Sequence, residues 1–255
     1  MGFARGRTNH SNSPLILVDN RDEFFERPTA PAYWWEPGSS IYAPQDLESP
    51  SRGTWIGVTK SGRFAVLVNS FETEKKSYEL SRGELPKLFL ESDLAPREWI
   101  EWVQKQEMFH KSGGFALLVG TAAPVVHYEF VSNHDRDLPQ PDQTVALSNG
   151  TITDSSWTKV RDAMTLFEPL LSIDNQADLI QRSFALLNSS AVAPETREDL
   201  RKSIFIPPTR LRDTNGTYGT RTQTVVLIDT EGQLTFVQRD VKTNSTHAES
   251  FHIDK

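Results

Sequence analysis

Two rhythms of apolar and polar positions run along this 255-residue chain. Leu15 to Val18 is a short apolar run, bounded by Pro14 and by the charged cluster Asp19-Asn20-Arg21-Asp22-Glu23. It is too short for a stable helix and reads as a buried strand closing in a charged turn. Thr54 to Val58 and Arg63 to Asn69 are β-rich runs on either side of Thr59-Lys60-Ser61-Gly62, a hairpin signal. Phe115 to Val119 and Val125 to Val131 pair across Gly120 to Pro124, and Thr144 to Ser148 follows. Gln223 to Ile228, Leu234 to Arg239 and Ala248 to Ile253 predict a closing β-meander, with Thr230-Glu231-Gly232 as its first turn.

The second rhythm has steps of three and four. Trp157, Val160, Met164, Phe167 and Leu171 predict one amphipathic helix, and Leu179, Ile180, Phe184 and Leu187 another. Ala95-Pro96 opens a helix whose apolar face is Trp99, Ile100, Trp102 and Val103. Ser81-Arg82-Gly83-Glu84 has the spacing of a capping box and starts a further helix, with Pro86 just past its first turn. Ala30 to Pro50 is Pro-rich and holds Tyr33-Trp34-Trp35, so it is expected as a long ordered loop. Strands, helices, strands, helices, strands, joined by hairpins, predict antiparallel sheets with helices packed outside, an α+β layer architecture. Residues 1–13 are a polar segment expected to be disordered, ahead of a single domain over 14–255.

Composition narrows the function classes. Six Trp and fourteen Phe indicate an ordered core, and a net charge of −7 disfavours a general nucleic-acid or anionic-membrane surface. The chain has no Cys, which removes disulfides, thiolate metal sites and a thiol nucleophile from the given sequence. None of the six His forms an HExxH or a facing helical pair, so no metal site is expected. His127 and Glu129, two apart in a strand, are expected to share a face. No run approaches the ~18 apolar residues of a membrane span. The first thirteen residues lack the apolar centre of a secretory signal, although Arg5 and Arg7 without a nearby acid hint at a mitochondrial presequence. A cytoplasmic protein, or one peripheral to an organelle, is the expectation.

Several ordered blocks carry a family resemblance. Asn20-Arg21-Asp22-Glu23-Phe24 resembles the signature of the NRDE family, also called the Transport and Golgi organization protein 2 family. Arg27-Pro28-Thr29, Trp34-Trp35, Gly53 to Val58, Gly62 to Asn69, Ser81 to Leu85 and Tyr218 to Thr224 are similar to its later blocks. The resemblance spans roughly residues 14 to 253. It implies an N-terminal nucleophile hydrolase-like fold, a four-layer αββα sandwich of mostly antiparallel sheets. In the bile-salt and penicillin acylase relatives of that fold, a Cys after the initiator Met attacks an amide, with its own α-amine as base. An Arg and an Asp hold the nucleophile, Asn residues supply oxyanion donors, and a late Arg completes the cluster.

Carried over by the resemblance, Arg21 and Asp22 fit the Arg/Asp pair, Asn69 and Asn149 the two Asn, and Arg221 the late Arg. With Asn20 they make a ligand-binding set of types suited to an anionic or carbonyl group. The departure is at Met1-Gly2, where glycine replaces the nucleophile. A pseudoenzyme that keeps the pocket, a start other than the native one, and processing to expose Thr8, Ser11 or Ser13 are three accounts of it. Pro44-Gln45-Asp46-Leu47 resembles a weakened form of a Gly-rich family segment. The resemblance implies a non-catalytic protein of Golgi organisation, secretion and trafficking that binds a small or lipid-like ligand of the haem or acyl-CoA class. The alternatives are an amide hydrolase whose Cys-bearing start lies outside this sequence, and an adaptor that offers Tyr33-Trp34-Trp35 to a protein partner.

Overall fold

The apolar run at Leu15 does not end at the charges. In the computed structural model, strand β2 runs from Leu15 to Phe24, straight through the polar cluster. Its partner is β10, Tyr218–Ile228. The antiparallel register sets Thr224 opposite Asp19, Gln223 opposite Asn20 and Thr222 opposite Arg21. A residue with a hydrogen-bonding partner strand and polar cross-strand neighbours stays extended, so the expected charged turn becomes strand. The structure describes residues 2–6, 13–70, 72, 78–135, 137–150, 157–190, 194–196, 198–210 and 215–254.

Contacts divide the chain into two compact units, 1–28 with 144–146 and 154–250, and 29–143 with 147–153 and 251–255. The sequence alone shows one domain over 14–255, because neither unit is continuous along the chain. The first sheet has the order β12-β11-β10-β2-β1-β9. Its remaining strands are β1 (Gly2–Gly6), β9 (Val145–Leu147), β11 (Gln233–Asp240) and β12 (Ser245–His252). Gly2–Gly6 is therefore part of a sheet, where disorder is expected over 1–13; its partner is Leu15 to Asp19 of β2. The candidate nucleophiles Thr8 and Ser11 lie outside the described residues.

Helices α4 (Thr158–Phe167) and α5 (Gln176–Leu187) cover one face of this sheet. Ile16, Val18, Val225, Leu227 and Val237 meet Ala163, Phe167, Leu179, Phe184 and Leu187 in one apolar cluster. The stripe predicted to Leu171 continues beyond α4 as a 3-10 turn, Glu168–Ser172, where Pro169 has no N–H to extend the α-helix.

The second sheet has the order β3-β4-β5-β6-β7-β8. Strands β3 (Thr29–Trp34) and β4 (Ile41–Asp46) form a hairpin where a loop is expected. Pro31 and Pro44 fit because β3 is an edge strand and the register shifts between Ala30 and Tyr33. Strands β5 (Ile56–Thr59) and β6 (Arg63–Asn69) pair as predicted, as do β7 (Phe115–Thr121) and β8 (His127–Ser132).

Helix α1 (Glu84–Glu91) begins at Gly83 without a side-chain cap, so the Ser81 capping box is not formed. A start at Ser81 would put Pro86 where an intrahelical N–H is needed, whereas the later start keeps it in the first turn. Helix α2 (Pro96–Val103) begins as predicted, and Ala95 N donates to Glu98 Oε2 at 3.1 Å. Helix α3 (Glu107–Lys111) is too short to show a period in sequence. Phe89 and Trp99 pack edge to face at 5.3 Å beneath these helices, with Leu85, Ile100, Val103, Leu117 and Val119 in the same cluster. Each unit thus contributes one sheet and one helical layer.

Candidate functional site

Alternation along β2 separates two sets of polar groups. Asn20 and Asp22 share the helix-facing side with Ile16 and Val18. Asn20 is 0% exposed, and its Nδ2 donates to Leu187 O at 2.8 Å and Ile204 O at 3.0 Å. Gln223 Nε2 donates to Asn20 Oδ1 at 3.3 Å. The Asn20 amide is therefore committed to holding the end of α5 and the 204 segment onto the sheet. Thr220 Oγ1 donates to Asp22 Oδ1 at 2.7 Å and accepts from Ile206 N at 2.9 Å. Lys159 of α4 is fully buried; burial pushes its pKa down, and the Asp22 charge pushes it back up.

The opposite side of the sheet carries a second polar row. Gly2, Asp19, Thr224 and Gln238 are successive cross-strand partners over β1, β2, β10 and β11. Arg21, Thr222 and Asp240 form the adjacent row. Asp19, Thr222, Thr224 and Gln238 are all buried. Burial raises the Asp19 pKa to about 6, with the Asp22 charge acting in the same direction. Arg21 Nη2 lies 3.8 Å from Glu23 Oε2, and Arg27 Nε lies 3.8 Å from the same oxygen.

Arg221 sits at the register shift between Thr220 and Thr222, a bulge that re-aims its side chain. Its Nη1 donates to the main-chain carbonyls of Phe24 and Arg27, and its Nε is buried with no hydrogen-bond partner among the described residues. The structure thus gives the late Arg a structural task, closing the turn after β2. Asn69 and Asn149 belong to the second unit and meet there, with Asn149 Nδ2 donating to Asn69 O at 2.8 Å. Arg21, Asp22, Asn20 and Arg221 belong to the first unit.

Tyr33, Trp34 and Trp35 are half-buried, and each is held by a neighbour. Tyr33 Oη donates to Gln45 Oε1 at 2.6 Å, Trp35 Nε1 donates to Ala43 O at 2.9 Å, and Trp34 packs edge to face on Tyr42 at 5.2 Å. Sequence reasoning passed over Asp19, Lys159 and the Thr222-Thr224 pair. The signals were there. Thr220, Thr222 and Thr224 alternate through the polar half of a strand that ends in Val225-Val226-Leu227-Ile228, and Lys159 lies between Trp157 and Val160 of the apolar stripe.

Position 2 lies in the row that holds Asp19. In an antiparallel ladder, directly opposed residues project to the same face. A side chain at residue 2 would therefore stand beside Asp19, and glycine supplies none.

Comparison with known proteins places this geometry. The family model described as Transport and Golgi organisation 2 matches residues 1–243. The mouse Transport and Golgi organization 2 homolog is 27% identical over 246 residues, covering 91% of this chain and 88% of that protein. The cattle homolog is 28% identical over 245 residues, covering 89% and 86%. Among solved structures, a Caenorhabditis elegans N-acylethanolamine-hydrolyzing acid amidase ortholog is similar in fold, with a TM-score of 0.53 and 9% identity, over 89% of this chain and 92% of that one. The chain has the α+β, N-terminal nucleophile hydrolase-like fold that the resemblance implies. It belongs to the Transport and Golgi organisation 2 family.

Proposed function

We propose that this chain is a non-catalytic, ligand-binding member of its family, a pseudoenzyme acting in Golgi organisation, secretion and intracellular trafficking. Its ligand is a small or lipid-like molecule of the haem or acyl-CoA class, anchored by a carboxylate or phosphate. The observation that carries this reading is the glycine opposite Asp19, set in a row whose other members, Asp19, Thr224 and Gln238, are polar and buried. Arg21 is the anchor of choice, because Arg221 already donates to two main-chain carbonyls. Asp22, in the same unit, completes the proposed binding set there, and the Asn69 and Asn149 that the resemblance adds form a pair of their own in the second unit. Among the described residues no helix is long and apolar enough to cross a membrane. The family name supports Golgi association, and a cytoplasmic protein peripheral to the Golgi or mitochondrion fits the reading.

Titration with haem and with an acyl-CoA tests it. Arg21→Ala weakens binding tenfold or more, on the order of 1.5–3 kcal/mol for a charged contact. Wild-type affinity in that variant would remove Arg21 from the site. A second reading, an N-terminal nucleophile amide hydrolase, draws support from the structural neighbour, whose printed activity is on N-acylethanolamines. Release of ethanolamine from an N-acylethanolamine by the purified protein would replace the first reading with this one.

A further inference from the structure

Between β3, β4 and the C-terminal end of α1, wholly inside the second unit, lies a cavity of about 550 Å³. That volume is within the range of small-molecule sites, roughly 300–1,000 Å³. Arg52, Arg63 and Lys87 all line it, and none of the three forms an ion pair among the described residues. Arg63 is 9% exposed. Its Nε donates to Phe89 O at 3.0 Å and its Nη2 to Leu94 O at 2.8 Å, while Nη1 has no acceptor among the described residues. Burial pushes its pKa down, and Asp93 offsets this only through space. A buried guanidinium without a carboxylate is costly, and an anion on the open side of the cavity relieves that cost.

Arg52 adds a backbone signal. It closes the Ser49–Arg52 turn in the left-handed region, with φ 46, where glycine is strain-free. A non-glycine residue held there carries backbone strain that glycine would relieve, which points to a use for its side chain. The half-buried rings of Tyr33 and Trp35 line the same cavity, each pinned through its polar atom by the bonds to Gln45 and Ala43. Glu36, Glu91 and Asp93 also line the cavity, at exposed positions, and disfavour a polyanion.

We propose that this cavity binds a phosphate monoester carrying one flat ring, with the phosphate on Arg63, Arg52 and Lys87 and the ring against Tyr33 and Trp35. Guanidinium groups bind phosphate through paired N–H donors, and a fixed aromatic face accepts a ring at low entropic cost. The assignment shares no residue with the Arg21 row.

Calorimetric titration of the full chain with phenyl phosphate, inorganic phosphate and phenol tests it. Phenyl phosphate binds at least tenfold more tightly than either fragment. Lys87→Ala and Arg52→Gly each weaken it tenfold or more. Arg52→Gly does so without lowering Tm, because glycine removes the strain along with the side chain. Arg63→Ala is not the test variant, since it also strips donors from the end of α1. Lys105→Ala, at an exposed position that does not line the cavity, leaves phenyl phosphate binding unchanged. No saturable binding at millimolar phenyl phosphate, equal affinity for inorganic phosphate, unchanged affinity in both cavity variants, or an equal loss in Lys105→Ala would each overturn the proposal.

Discussion

Asn20 shows how one residue type can read as site and serve as scaffold. By resemblance it sits in a ligand-binding signature; in the fold its amide joins two main-chain carbonyls from distant segments and accepts from Gln223. Removing it leaves the Leu187 and Ile204 carbonyls buried without that donor. Asn20→Ala is therefore expected to lose on the order of 2–4 kcal/mol in denaturant unfolding. Its affinity for ligand per folded molecule stays at the wild-type level. The opposite pattern, full stability with weakened binding, would return Asn20 to the site. Arg21, one residue on and on the other face, is expected to behave in reverse.

At the scale of elements, the family blocks turn out to be neighbours. Gly53, in the block ahead of β5, lies against Gly83, the residue before α1, and Thr54 N donates to Gly83 O at 2.9 Å. A Cβ added at Gly53 would stand 2.2 Å from Gly83 O, a backbone atom that cannot turn aside. Gly53→Ala must separate β5 from the start of α1, and a loss of more than ~2 kcal/mol is expected. Gly38 is a fair control: it has φ 89 but nothing within 4 Å of an added Cβ. Gly38→Ala carries only the backbone penalty, about 1 kcal/mol. Equal urea midpoints for the two variants would show that the close approach is not a constraint.

At the scale of the whole molecule, buried and paired titratable groups set the pH profile. Asp19 is raised from 3.8 to about 6, so the folded chain binds more protons there than the unfolded one. That contribution to stability is present below 3.8 and is lost as pH climbs through 6. His127 meets Asp142 Oδ2 at 3.0 Å and Glu129 Oε1 at 3.4 Å, and Glu129 also pairs with Arg97 at 2.8 Å. Burial lowers the His127 pKa, but the two carboxylates outweigh it and the net shift is upward. Its contribution is complete below 6.5 and lost as pH rises through the raised value. On the acid side, Asp199 is held far down by Lys202 and Thr196, and Glu26 by the Thr217 N–H. Those contributions fade as pH falls. These four groups favour the acid side of neutrality, while the lowered Lys159 acts the other way and gains stability as pH rises. Differential scanning calorimetry against wild type is expected to show Asp19→Asn removing a fall in Tm up to pH 6 and His127→Gln a fall above 6.5. Variant profiles that superimpose on the wild type would remove these two groups as the cause.

The sequence by itself determined the fold class, the main helices, the hairpins, the closing meander and the family. Those features live in local periodicity and in ordered motif blocks, because burial of one face repeats every second or every 3.6 residues. Tertiary structure alone decided the rest. The polar run at Asp19 to Glu23 became strand because Tyr218 to Thr224, some two hundred residues away, supplies its ladder. The same pairing set Asn20 and Arg21 on opposite faces. The Arg221 guanidinium reaches the Phe24 and Arg27 carbonyls from a bulge that no local pattern announces. Arg52, Arg63 and Lys87 are separated in sequence by a hairpin and a helix start, and only the packing of α1 on the second sheet makes them line one cavity. Periodicity tells which side of an element is buried; partners across a sheet or a helix interface are chosen by chain closure over long distances, and that information is not local.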